Sequence, residues 1–336
     1  MRNSGLVDLQ VNGYAGVDFN DAGLTADAMQ HALQTMQSHG VACCLPTVIT
    51  AAPDDLAARL AALDQAVAGC ALGAAMVPGY HLEGPFLNPA DGYAGCHPPS
   101  VMTAPDIALV RRLEAGLRRP ILLITLAPEL PGAEAFIAWA HGAGKLVSIG
   151  HSAATREDVQ AACDAGAGMS THLGNGSARV LPRFDNAIFA QLAEDRLSAG
   201  FIADGIHVRP DVLQVMLRAK ELSRCHLVTD AVAAAAAPPG RYSFAGMAIE
   251  HAIDGSVRVP GGTTLAGSAL RLDQAVRNVV AWGLATPEQA MRMAGATPRA
   301  LLAPALAAHA IVPVEFEVEW TADLHVAFVR MPHGLA

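Results

Sequence analysis

The chain has 336 residues, 52% of them hydrophobic and 5% aromatic, with a formal charge of −9 at neutral pH. That length allows one large domain with a sizeable core, or a large domain and a small one. An acidic chain has no electrostatic reason to bind nucleic acid or an anionic membrane surface, although a local cationic pocket for a small anion stays open. Six cysteines (Cys43, Cys44, Cys70, Cys96, Cys163 and Cys225) form no CxxC pair and read as reduced, mostly buried small hydrophobes. Met1 is followed by no apolar leader, and no apolar run is long enough to span a bilayer. The expectation is a cytoplasmic protein with no membrane association.

Along the chain, short apolar runs alternate with amphipathic stretches. The pattern predicts eight strands, at Leu6–Val11, Ala42–Val48, Val77–Leu82, Ile121–Leu126, Leu146–Ile149, Gly168–His172, Leu197–Ile202 and Cys225–Thr229. Helices are predicted over Ala26–His39, Pro53–Ala68, Pro105–Gly116, Gly132–Gly142, Thr155–Ala165, Ala187–Asp195, Arg209–Ala219 and Ala269–Gly283; several open on Pro or a capping residue and close near Gly. Eight such units point to an α/β fold, a closed (β/α)8 barrel over residues 5–305, rather than an open sheet. Two stretches break the rhythm. Residues 240–264 alternate apolar and polar residues between turn signals and read as inserted β-hairpins. The tail over Ile311–Met331 alternates likewise and predicts a pair of strands, so residues 306–336 are expected to form a reduced β subdomain built from the C-terminal tail.

A parallel barrel presents its chemistry at the C-terminal ends of its strands. Those ends carry Gln10 and Asn12, Glu83, His151, His172 with Asn175, His207, and Asp230. One carboxylate and two imidazoles from three strand ends, Glu83, His151 and His172, can converge on one divalent ion and leave a position for water. Asp230 would lie across the same mouth, able to take a proton from that water. Each residue also has a structural reading. Asp230 could cap a helix, and Asp204 and Asp185 are assigned to that role. His31, His39, His141 and His226 read as surface or packing residues. It is the joint placement at successive strand ends that favours a metal-dependent hydrolase.

The order VDLQVNG, HLEGPFL, GHS, THLGN, IADGIH and LVTDA resembles the N-acetylglucosamine-6-phosphate deacetylases of the amidohydrolase superfamily, over residues 6–300. The resemblance implies a (β/α)8 barrel that removes the acetyl group of N-acetylglucosamine 6-phosphate to give glucosamine 6-phosphate and acetate. It implies Glu83, His151 and His172 as metal ligands, Asp230 as the catalytic acid/base, and His207 as a group on the substrate carbonyl. It also implies His97, Asn175, Gly176, Leu265 and Ala266 as sugar and phosphate contacts, and a homodimer in which a phosphate-binding Arg comes partly from the neighbouring subunit. Arg183 is the match for that Arg, with Arg179 the second candidate.

Where many superfamily members carry His-x-His for a second metal, this chain has Gln10 and Asn12, amides that bind transition metals poorly. These read as vestigial second-metal positions and predict one ion, zinc by expectation, with iron, manganese and cobalt as alternatives. The loop from Gly174 to Asp185 departs from the family pattern, so another N-acyl amino sugar or small amide is an alternative substrate, and a non-catalytic binding protein on the same fold a third reading. The family also has some tens of residues before the first barrel strand, and that portion is expected to be missing here.

Overall fold

A computed structural model of the chain describes residues 1–331; residues 332–336, the end of the expected β subdomain, lie outside the described residues. Eight parallel strands run in sequence order round a barrel: Leu6–Val11, Val41–Ile49, Tyr80–Glu83, Ile121–Leu126, Leu146–Ile149, Met169–Ser170, Ser198–Phe201 and Cys225–Leu227. The first, fourth and fifth match their predicted bounds, and the others shift by one to three residues at an end. The first, second, fourth and seventh strands are buried along their whole length, as expected when helices cover one face and the barrel interior the other.

The seam between the eighth and first strands is closed by fewer ladder bonds. Val11 and Ala231 form an isolated bridge, and the Asp230 N–H donates to the Gln10 carbonyl at 2.9 Å. This seam therefore joins the strand end carrying Asp230 to the one carrying Gln10 and Asn12. Inside the barrel, a buried chain of polar side chains crosses the strands. His81 Nδ1 lies 3.2 Å from Thr47 Oγ1 and its Nε2 2.8 Å from Thr125 Oγ1; Thr125 reaches Thr171 at 2.7 Å, and Thr171 reaches Ser148 at 2.6 Å. Each of these buried hydroxyls thus has at least one hydrogen-bond partner within the layer.

The helices follow their caps. Thr25 accepts from the Ala28 N–H at the head of Ala26–Ser38, and Thr155 forms a capping box with Asp158 at the head of Arg156–Ala165. The segment after the last predicted helix was not read as helical, yet Pro287–Met291, a π-helical turn Arg292–Ala296 and Thr297–Ala308 run nearly end to end there. Its start was legible in Thr286-Pro287-Glu288-Gln289, a capping box with Pro at the first position. The rest is rich in Ala with Pro298 and Pro304, which blurs the helical period.

The insertion forms a three-stranded antiparallel sheet, Gly240–Phe244, Met247–His251 and Val257–Arg258. Phe244, Ile249 and Val257 pack with Ile49, Val232 and Ala266 in a small core of their own, and this holds residues 263–267 over the barrel mouth. The tail supplies Glu317–Trp320 and Val326–Arg330, but the third strand of that sheet is Arg2–Asn3. The N-terminus therefore takes part, which corrects the expectation of a sheet built from the C-terminal tail alone. Two residues carry no readable alternation, so the pairing was invisible before folding. Trp320 closes the join, with Nε1 donating to Asn3 Oδ1 at 2.9 Å and its ring lying where any Cβ on Gly40 would be, 2.3 Å away.

Candidate active site

The strand ends open into a cavity of about 770 Å³. Its floor holds Glu83, 2% exposed. Burial alone would raise the Glu83 carboxyl, but the imidazoles of His151 and His172 that face it hold it well below the usual carboxylate range. The two oxygens face different neighbours. Oε1 lies 3.1 Å from His172 Nε2 and 3.5 Å from His151 Nε2, while Oε2 lies 3.8 Å from His97 Nε2.

His151 shows what this arrangement asks for. Its Nδ1 lies 2.7 Å from the Tyr93 carbonyl, which only accepts, so Nδ1 carries a proton and, in the neutral ring, Nε2 presents a lone pair. A lone pair aimed at a carboxylate oxygen is repulsive unless a cation lies between them. The Tyr93 bond is also the outer contact that metal-binding imidazoles characteristically make. His172 Nδ1 is buried without a partner. Among the described residues, Glu83, His97 and His151 offer donor atoms that all lie within 4.8 Å of one another. The donor set, one carboxylate and imidazoles with no thiolate, suits a divalent ion of the zinc, iron, manganese or cobalt kind. His97 thus stands closer to the ion-binding centre than its expected role in sugar binding implied. Its Nδ1 bonds Thr50 Oγ1 at 2.8 Å, and burial pushes the ring down to about 3, so it is neutral.

Asp230 stands across from Glu83, and the end of the first strand holds it. Gln10 Nε2 donates to Glu83 Oε1 at 2.9 Å and to Asp230 Oδ1 at 3.1 Å; Asn12 Nδ2 donates to the same Oδ1 at 2.7 Å. The positions read as vestigial therefore have work of their own, Gln10 bridging the two carboxylates and Asn12 adding a second neutral N–H donor to Asp230. Burial and the charge of Glu83 raise the Asp230 carboxyl, as suits a group that must take and return a proton. Its backbone is left-handed, φ 48°, as are His151 at 51° and His172 at 28°. Such conformations cost energy in non-glycine residues and concentrate at functional sites.

His207 lines the cavity, and its Nδ1 lies 2.6 Å from Asp204 Oδ2. Asp204 also accepts the Ile206 and His207 N–H groups through Oδ1, each at 2.8 Å. Burial opposes its charge, but the His207 contacts and these N–H groups hold its carboxyl below the usual range. The reading of Asp204 as a helix cap is corrected: it closes the turn to His207 and holds that imidazole, while the next helix, Pro210–Lys220, begins at Arg209 without a side-chain cap. The spacing Asp204-Gly205-Ile206-His207 was the available signal, since Gly205 at φ +77° lets the chain turn back on itself.

Toward the cavity rim, Asn175 and Gly176 line the wall, as does Leu265; Ala266 is fully buried behind it, while Thr263, Thr264 and Gly267 also line the cavity. Arg179 lines the cavity and Arg183 does not. Arg183 is exposed, with its guanidinium 5.9 Å over the Phe184 ring. Sequence spacing could not separate the two, because the loop between them has no period.

No protein-family model matches the chain. It is 37% identical over 300 residues to the N-acetylgalactosamine-6-phosphate deacetylase of Escherichia coli O157:H7, covering 88% of this chain and 76% of that protein. It is 34% identical over 311 residues to the N-acetylglucosamine-6-phosphate deacetylase of Danio rerio, covering 89% and 74%. Among solved structures it is similar to the N-acetyl-D-glucosamine-6-phosphate deacetylase of Mycobacterium smegmatis in complex with N-acetyl-D-glucosamine-6-phosphate, with a TM-score of 0.86 and 29% identity, covering 98% of this chain and 85% of that one. By fold, by the order of its strand-end residues and by this similarity, the chain belongs to the N-acetylglucosamine-6-phosphate deacetylase family.

Proposed function

We propose that the chain hydrolyses the acetamide of N-acetylglucosamine 6-phosphate to glucosamine 6-phosphate and acetate, with Asp230 as the single proton carrier. The observation that carries this reading is the half-buried Asp230 carboxylate, tethered by Gln10 and Asn12 on a cavity shared with Glu83, His151, His172 and His207. Glu83, His151 and His172 are the proposed ligands of one divalent ion, because both imidazole Nε2 atoms turn to the same oxygen of Glu83. Zinc is the proposed ion. Bound there, it would polarise the acetamide carbonyl and make a water acidic enough to attack near neutral pH.

The chain's own residues do the rest. Asp230 takes one proton from the attacking water as the new C–O bond forms. It returns that proton to the nitrogen as the C–N bond breaks, since an amine leaves readily only when protonated. The remaining acyl proton passes to the amine, so the products are acetate and an ammonium sugar. His207, held by Asp204, faces the carbonyl oxygen where negative charge grows. Asn175 and Gly176 are the proposed sugar-phosphate contacts, with Arg179 the cation within the chain and Arg183 one offered outward to a second copy. Leu265 and Ala266 shape the wall, and His97 steadies the sugar beside Glu83.

A homodimer is proposed on the same ground: Val180 and Phe184 stand 87% and 79% exposed beside Arg183. Among the described residues no helix is long and apolar enough to cross a membrane, and a cytoplasmic enzyme is the proposed setting. Residues 5–305 are the proposed catalytic unit, with 240–264 as its β-hairpin insertion, and 306–336 the proposed residual small β subdomain. The relative from Escherichia coli favours a second reading, the galactosamine epimer. Turnover on both 6-phosphates, and on their unphosphorylated forms, separates them. Asp230→Asn should keep its metal by elemental analysis and lose about 10²–10⁴-fold in kcat; near-normal kcat in that variant would overturn the assignment.

A further inference from the structure

Asn12 does more than tether Asp230. Its side chain is 1% exposed and lines the cavity, whereas Gln10 does not. An ionised Asp230 can only accept, so Asn12 must turn Nδ2 toward Asp230 Oδ1, at 2.7 Å. That leaves the amide oxygen of Asn12 beside the proton carrier, and this oxygen is buried with no donor in the protein. A buried acceptor without a partner is costly, and native structures keep one where something else supplies the donor. The group that must come to Asp230 during the reaction is the acetamide nitrogen, and it carries one N–H.

We propose that Asn12 Oδ1 accepts the N–H of the scissile acetamide, so that Asn12 holds the nitrogen against Asp230 and selects amides over esters. The inference rests on the deacetylase reading above. As the C–N bond breaks and Asp230 delivers its proton, the nitrogen gains hydrogens, and the bond to Asn12 strengthens with the growing positive charge. An ester places a lone-pair-bearing oxygen opposite Asn12 Oδ1, so the contact turns repulsive. Sites built to bond a substrate N–H reject the analogue lacking it for this reason.

The test compares N-acetylglucosamine 6-phosphate with the 2-O-acetyl ester of glucose 6-phosphate, using wild type, Asn12→Ala, Asn12→Ser and Gln10→Ala, with metal content measured for each. An ester too slow to follow is read by its inhibition constant against the amide. Gln10 tethers the same oxygen of Asp230 without facing the cavity, so Gln10→Ala should weaken both substrates in parallel. Both Asn12 variants should retain their metal and lose about tenfold or more in the amide-to-ester ratio. Parallel losses on the two substrates in the Asn12 variants, or an equal shift in ratio for Gln10→Ala, would overturn the proposal. Failure of wild type to deacetylate either amino-sugar phosphate would instead remove the deacetylase reading, and is seen before any variant is made.

Discussion

Asp8 lies on the first strand two residues before Gln10, with its carboxyl fully buried. It accepts from Thr229 Oγ1 at 2.6 Å and from the Thr229 N–H at 3.2 Å, which stitches the eighth strand to the first one residue short of Asp230. Burial nevertheless outweighs those bonds and pushes its carboxyl from 3.8 to about 7. The folded chain therefore holds this proton over a range in which the unfolded chain has lost it. The resulting contribution to stability is full below pH 4 and is lost as pH rises through about 7, at up to about 1.4 kcal/mol per unit. Asp8→Asn removes the titration, so urea midpoints from pH 5 to 8 should fall for wild type relative to the variant. A wild type that gains on the variant over that range would contradict the reading. The strand-end residues Glu83, His151, His172 and Asp230 were legible in the sequence because each directly follows or ends an apolar run. The pairing of Asp204 with His207, and the choice between Arg179 and Arg183, were not, because they depend on where loops turn.

Among the elements, the end of the third strand is the most tightly constrained. Gly84 follows Glu83 with φ +82°, and a Cβ there would stand 2.1 Å from Thr50 Oγ1. Thr50 in turn bonds His97 and donates to the Glu83 carbonyl. Gly84→Ala thus strains the backbone and displaces the hydroxyl that supports two residues of the ion-binding cluster. The variant should fold with lower stability, by about 1–3 kcal/mol, and bind its metal about 10–100-fold more weakly. Chelator competition followed by elemental analysis measures this, and metal affinity equal to wild type would show that Thr50 adapts freely. The strands and most helices were readable from apolar period and caps. The C-terminal helices were not, because an Ala-rich run with two prolines has little period to read.

For the whole molecule, the open question is its partner. Val180 and Phe184 lie on the exposed loop after Asn175, and Phe189 starts a face continued by Val212 and Val215 on Pro210–Lys220. The helix Ala187–Leu192, which carries Phe189, packs against Pro210–Lys220. Exposed apolar side chains grouped in this way mark an interaction surface. Val180→Asp with Phe184→Asp should convert a dimer to a monomer in sedimentation velocity; a wild type that sediments as a monomer at micromolar concentration would remove the dimer.

By itself the sequence determined the barrel and the set of reactive groups at its mouth, since apolar period and strand-end position are local properties of the chain. Only the tertiary structure decided how those groups are joined. Gln10 and Asn12, two amides with no charge to declare a role, became the link from Glu83 to Asp230 and a second tether on Asp230 because the barrel closes and brings the first and eighth strands together. Arg2–Asn3 likewise became a strand only because Glu317–Trp320 lies beside it. Contacts between residues hundreds of positions apart leave no periodic trace, so they exist only once the chain has folded.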